Sequence, residues 1–145
     1  MFSGSHDHVL DEKGRTSLPK EFRLLLAESD GDPWITALRE CLAVFPAEVW
    51  TEFKQRLSAA SIAAEPIQQA QRLFTGMAVR CPFDRQGRIL IPPKLRSWAH
   101  LERDVVLMGV GNRIEVWDRI RHDREMEAIR SHYAEITQPL REYGL

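Results

Sequence analysis

The chain has 145 residues, a formal net charge of −1, 43% hydrophobic and 28% charged residues. These are globular values, enough for one ordinary domain or two half-size lobes sharing a core. No stretch is apolar for the ~18 residues that a membrane span requires, and Met1–Asp7 carries no basic start followed by an apolar run, which together predict a soluble, cytoplasmic protein.

His8-Val9-Leu10 reads as a short strand leading into Asp11–Arg23, DEKGRTSLPKEFR. Asp first and Gly fourth suit a type I turn, and glycine tolerates the positive φ such a turn needs at its exit. Thr16-Ser17-Leu18 is strand-like. Pro19 then sits where a helix begins, since proline fits the first helical turn and not its interior. Phe22, Leu25 and Leu26 share one face of that helix. After the loop Ser29–Pro33, Trp34–Leu38 and Cys41–Phe45 read as two strands, although Arg39-Glu40 between them is poor turn chemistry. Pro46–Ala60 reads as a helix in which Val49, Phe53 and Leu57 recur every four residues with Trp50 alongside.

Ser58–Pro66, rich in Ala and Ser, marks a boundary. Ile67–Thr75 is expected to be a short helix ended by Gly76, and Met77–Phe83 a strand that Pro82 confines to an edge or bulge. Asp84–Arg96, DRQGRILIPPKLR, then repeats the first stretch. Five positions are identical: Asp11/Asp84, Gly14/Gly87, Arg15/Arg88, Pro19/Pro92 and Arg23/Arg96. Val105–Val110 and Arg113–Trp117 follow as strands joined at Gly111-Asn112, a strong hairpin signal. Asp118 is placed to cap a last helix whose apolar stripe is Met126, Ile129, Tyr133 and Ile136. Four short strands, a small helix after the second and a longer helix at the end thus occur twice. The expectation is an α+β fold with pseudo-two-fold symmetry, divided as a first repeat (1–60), a connecting segment and short helix (61–76) and a second repeat with the C-terminal helix (77–145).

Positive charge gathers on the repeated stretch. Arg80–Arg103 holds six basic residues against Asp84 and Glu102, and Lys13–Arg23 holds four against Glu21. Glu28–Glu52 reverses the balance, with six acids against Arg39 alone. A basic patch supplies the phosphate-neutralising part of nucleic-acid binding, or is simply a solvated face. Cys41 and Cys81 form no Cys-x-x-Cys pair and read as buried free thiols. His6 and His8 have ligand-like spacing, but no Cys, Asp or Glu set completes a metal site. No nucleophile elbow, Gly-rich phosphate loop or paired catalytic carboxylates are visible, so neither an enzyme nor a cofactor is expected.

MFxGxxxHxLDxKGRxxxP at the start, Gln71–Gly76, DxQGRxxIPxxLR in the second half and Val105–Asp118 together resemble the MraZ family of bacterial transcriptional regulators, related to the AbrB/SpoVT DNA-binding proteins. The stretch Trp34–Cys41 departs from the family's more usual Thr-Arg-Gly-like turn. The resemblance implies a swapped-hairpin β-barrel with both halves in one chain and flanking helices. It also implies a homo-oligomeric ring, binding of double-stranded promoter DNA at short direct repeats upstream of its own gene in the division and cell-wall cluster, and a place on the nucleoid. No small-molecule substrate and no membrane are implied.

The family's DNA-contacting arginine falls on Arg15, with Arg88 as its repeat mate. Either could instead pair with Asp11 or Asp84 and hold its turn shut. Lys13 and Arg85, in the same turns, suit phosphate contact. Lys20, Arg23, Lys94 and Arg96 are weaker candidates, equally suited to surface solvation or helix salt bridges. The alternative function is a ring-forming module that binds protein or RNA.

Overall fold

The computed structural model describes residues 1–145. The strands are β1 (Ser5–Val9), β2 (Arg15–Ser17), β3 (Trp34–Ala37), β4 (Leu42–Phe45), β5 (Val79–Arg80), β6 (Arg88–Leu90), β7 (Asp104–Val110) and β8 (Arg113–Asp118). The α-helices are α1 (Lys20–Ala27), α2 (Ala47–Ala59), α3 (Glu65–Ala70), α4 (Pro93–Trp98), α5 (Arg119–Ser131) and α6 (Tyr133–Thr137). The class is α+β. Pro19, Pro46 and Pro92 each stand at a helix start, with ψ between 142° and 154°. The Asp118 carboxylate accepts the Arg121 N–H at 3.1 Å and caps α5.

Six strands form one antiparallel sheet in the order β1-β7-β8-β4-β3-β5, and β2 and β6 form a separate two-stranded ribbon. The hydrogen-bonded ladder does not close on itself: the strands pair as one sheet and one ribbon. Both obey the repeat. Exchanging each strand for its counterpart reads the sheet order backwards and leaves it unchanged. β1 of the first half pairs with β7 of the second, and β5 of the second with β3 of the first. The central contacts join residues to their own counterparts: Thr16 to Ile89 in the ribbon, and Ala43 to Glu115 where β4 meets β8.

One apolar core serves both halves. Leu10, Leu18, Phe22 and Leu26 pack in the same cluster as Ile89, Ile91, Leu95 and Val116. The hairpin β3–β4 forms despite its poor turn residues, because Leu38 N–H reaches the Cys41 carbonyl at 2.8 Å and β4 is anchored on β8. Cys41 and Cys81 are buried free thiols. Burial raises both above the ordinary thiol range, Cys81 to about 12.

Three sequence expectations are corrected. The strand expected over Met77–Phe83 is reduced to β5, since Pro82 has no N–H to continue a ladder. The helix expected over Ile67–Thr75 starts earlier, at Glu65, and changes to a π-helical turn at Gln71–Thr75, where Gly76 N–H bonds back to the Gln71 carbonyl at 3.0 Å. The last helix breaks at His132, and the stripe of Met126, Tyr133 and Ile136 stays exposed. The face of α2, in contrast, is covered within the chain. Trp50, not the Val49/Phe53/Leu57 row, is its buried anchor, at 1% exposure. Its ring stacks on Trp34 with centroids 5.9 Å apart and meets Phe53 at 5.7 Å, while Phe53 meets Phe74 edge-on at 5.6 Å.

Trp50→Ala therefore removes the pin of α2. The expected loss is about 3–5 kcal/mol of stability, read from urea denaturation, whereas Leu57→Ala on the same helix, only partly buried, should lose less.

Candidate nucleic-acid interface

The two repeated turns have the same construction. Gly14 N–H bonds to the Asp11 carbonyl at 3.0 Å, and Gly87 N–H to the Asp84 carbonyl at 2.9 Å. In the first turn, Oδ1 of Asp11 accepts the N–H groups of Lys13 (3.0 Å) and Arg15 (2.8 Å), and Oδ2 accepts Nε of Arg15 (2.8 Å). In the second, Oδ1 of Asp84 accepts those of Gln86 (2.9 Å) and Arg88 (3.0 Å), and Oδ2 accepts Nε of Arg88 (2.9 Å). Short acidic side chains favour such turns because they bond to backbone two residues on.

These bonds hold both carboxyl groups below the ordinary aspartate value of 3.8, the backbone N–H of Arg15 or Arg88 contributing most. The sign follows from the direction. The stabilisation is complete above the unfolded value and is lost as pH falls through the lower folded one.

The aspartates engage only Nε of each arginine. The Nη groups of Arg15 and Arg88 have no hydrogen-bond partner in the chain, and the two side chains keep about a third of their surface open, 32% and 29%. The pairing that closes the turn thus also aims the outer edge of the guanidinium at solvent.

The ribbon brings the two arginines together. Thr16 and Ile89 are buried, so Arg15, Ser17, Arg88 and Leu90 project from the opposite face. Arg15 lies across from Leu90, and Ser17 across from Arg88. The arginines are therefore diagonal neighbours on one outward surface, roughly 7–8 Å apart along the backbone. Lys13 and Arg85 are exposed in the turns at either end of the ribbon, and Lys20 and Lys94 are exposed at the starts of α1 and α4.

Arg23 and Arg96 sit differently. The Arg96 guanidinium, from the second half, lies over Gly14 of the first. A Cβ on Gly14 would stand 2.8 Å from Cζ of Arg96 and 2.7 Å from the Ile91 carbonyl oxygen. The Arg23 guanidinium, from the first half, lies over Gly87 of the second, where a Cβ would strike its Nη1. Each arginine's Nε is buried with no hydrogen-bond partner. The turns are bonded across the halves as well, Ile91 N–H to the Gly14 carbonyl at 2.8 Å and Leu18 N–H to that of Gly87 at 2.9 Å. Sequence reasoning missed this crossed bracing. Its only trace was that Gly14/Gly87 and Arg23/Arg96 are among the five identical positions. His6, meanwhile, lies 3.0 Å from Glu21 and edge-on to Phe22.

The model for the antitoxin-like MraZ protein family matches the chain twice, over residues 1–75 and 73–138. The chain belongs to the MraZ family. It is 37% identical over 147 residues to a protein of Heliobacterium modesticaldum named transcriptional regulator MraZ, and 35% identical over 147 residues to one so named from Halothermothrix orenii, with the whole of each chain covered in both comparisons. A transcriptional regulator MraZ of Frankia alni is 40% identical over 139 residues, 95% of each chain. In this MraZ-family chain, both copies of the turn meet on one ribbon.

Gly14 is constrained twice, by its φ of +88° and by the carbonyl and guanidinium above it. Gly14→Ala is expected to lower stability by at least ~1–2 kcal/mol from the backbone conformation alone. Adding Arg96→Ala should restore only part of that in a double-mutant cycle followed by chemical denaturation, because the Ile91 carbonyl still blocks the methyl.

Proposed function

We propose that the protein is a sequence-specific DNA-binding transcriptional regulator that reads double-stranded promoter DNA with the outer face of the β2–β6 ribbon. The observation that carries the reading is the pair of arginines on that face, each aimed by an aspartate and each with its Nη groups unengaged. The major groove of B-DNA is about 12 Å wide and admits a two-stranded ribbon, and an arginine fork can reach guanine O6 and N7 together. Aiming the fork in advance reduces the ordering that binding requires. Arg15 and Arg88 are assigned to base edges, and Lys13 and Arg85, with Lys20 and Lys94 behind them, to phosphates. Arg23 and Arg96 are assigned to holding the turns. The regulator names of the relatives support the same reading.

The finer assignments continue from it. The exchange of β1 and β5 between halves supports a swapped-hairpin relationship, and the double family match supports two repeats, 1–60 and 77–145, joined by 61–76. The exposed stripe of Met126, Tyr133 and Ile136 supports assembly into a ring through the C-terminal helices. A ring on the nucleoid would present its ribbons side by side in one orientation. The proposed targets are therefore short direct repeats upstream of the protein's own gene in the division and cell-wall cluster, where binding represses.

Arg15→Ala is expected to weaken specific binding by about 1–3 kcal/mol per engaged subunit and to relax specificity, with ring size and melting temperature kept. An exposed ion pair is worth at most ~1 kcal/mol. Lys13→Ala should weaken binding to all sequences alike and flatten the salt dependence by about one unit. Titrations of selected and scrambled duplexes at several salt concentrations check both, and wild-type affinity in Arg15→Ala would mean the interface lies elsewhere.

Sedimentation should show one large discrete species. Inverting one of two boxes spaced by roughly one helical turn, ~10 base pairs, should weaken binding sharply. A stable monomer, or equal affinity for direct and inverted boxes, would contradict the ring.

A further inference from the structure

The outer face of the ribbon is nearly two-fold symmetric, and the departure from symmetry lies at one pair. Arg15 and Arg88 are counterparts, so the arginines alone would read a site equally well in either direction. Ser17 and Leu90 are counterparts too, each beside an arginine of the opposite strand, but one is a hydroxyl and the other a branched hydrocarbon. Leu90 is 55% exposed on a face whose other residues are all polar. Nothing in the fold needs it there, because the ribbon's apolar side is already supplied by the buried Ile89 next to it. The turns differ as well, Glu12-Lys13 against Arg85-Gln86, but phosphate contacts from a turn carry no sequence information directly. Polarity at the level of bases therefore falls to Ser17 and Leu90.

Resting on the DNA-reading role proposed above, we infer that Leu90 is a specificity-determining residue that packs on a thymine C5-methyl group in the major groove, and that its asymmetry with Ser17 sets the direction in which each subunit lies on DNA. A thymine methyl is the apolar feature that the major groove displays beside its donors and acceptors, and apolar side chains contact it. The methyl sits on one side of the ribbon's two-fold axis only, which gives a near-symmetric reader an orientation.

The test uses the full-length protein. A duplex is selected by the wild type from a random-sequence pool, and its thymines are replaced one at a time by deoxyuridine, which lacks only the methyl. Wild-type affinity should drop about fourfold per engaged subunit at one thymine in each box, the worth of one buried carbon at ~0.8 kcal/mol. Leu90→Ser should bind the thymine and deoxyuridine duplexes alike, and should tolerate inversion of a box better than the wild type does. Ser17→Leu should gain a second methyl-sensitive thymine at the position related by the ribbon's two-fold.

Tight wild-type binding with indifference to every replacement would overturn the role of Leu90 and leave the DNA reading intact. Failure of the wild type to select any duplex would overturn both. A Leu90→Ser protein that falls apart into smaller species would place the leucine between subunits and overturn the inference.

Discussion

Everything at the candidate interface depends on the crossing of the two halves at the turn glycines. Arg96 of the second half lies on Gly14 of the first, and Arg23 of the first lies on Gly87 of the second. A methyl group at either glycine would occupy the space of the guanidinium, and the positive φ already excludes most side chains. With the backbone that close, Leu18 and Ile91 complete hydrogen bonds to the opposite glycine carbonyls and extend the ribbon beyond its three paired positions. A two-stranded ribbon by itself is marginal in water. Here it is clamped at both ends and floored by Thr16 and Ile89, both buried.

The aspartates give that rigid ribbon its electrostatic character. An arginine that closes a turn and an arginine that contacts a ligand are alternatives only if the guanidinium has one edge. Asp11 and Asp84 take Nε and leave the Nη side outward. At the surface the pair adds little stability, so its main effect is positional. It restricts a side chain that otherwise loses considerable rotamer freedom on binding. The same carboxylates accept two backbone N–H groups each, so aiming the arginine and shaping the turn are one structural event.

Apolar surface divides between the inside of the subunit and its exterior along the two long helices. Trp50, stacked on Trp34, draws α2 into the chain's own aromatic cluster. α5 is held at its first turn by the smaller His122 ring, edge-on to Trp117 at 6.2 Å, and has no fully buried residue. It ends before His132, and Met126 on α5 and Tyr133 at the start of α6 are exposed. Counterpart helices in a repeated chain have thus taken different roles: Trp50 meets Phe45 and stacks on Trp34, whereas its counterpart His122, a smaller ring, meets only Trp117, the counterpart of Phe45.

Much of this was legible in the residues. Local chemistry determined the turns, since Asp-x-x-Gly specifies a conformation within four residues. It also determined the helix starts at Pro19, Pro46 and Pro92, the Gly111-Asn112 hairpin and the Asp118 cap. The recurrence of Asp, Gly, Arg, Pro and Arg at matched spacing determined the pseudo-symmetry and pointed to Arg15 and Arg88. Tertiary structure decided the rest. Which strand pairs with which depends on closing loops of dozens of residues, so the exchange of β1 and β5 and the division into a six-stranded sheet and a two-stranded ribbon had no local signature. The π-helical turn at Gln71–Thr75 is a packing adjustment that places Phe74 against Phe53 and its carbonyl 2.6 Å from the Thr36 hydroxyl. Arg23 and Arg96 resembled solvated helix residues because a single sequence does not disclose what lies across from them. Only the fold set each one on the other half's glycine, and only there did the identity of those four positions acquire a physical reason.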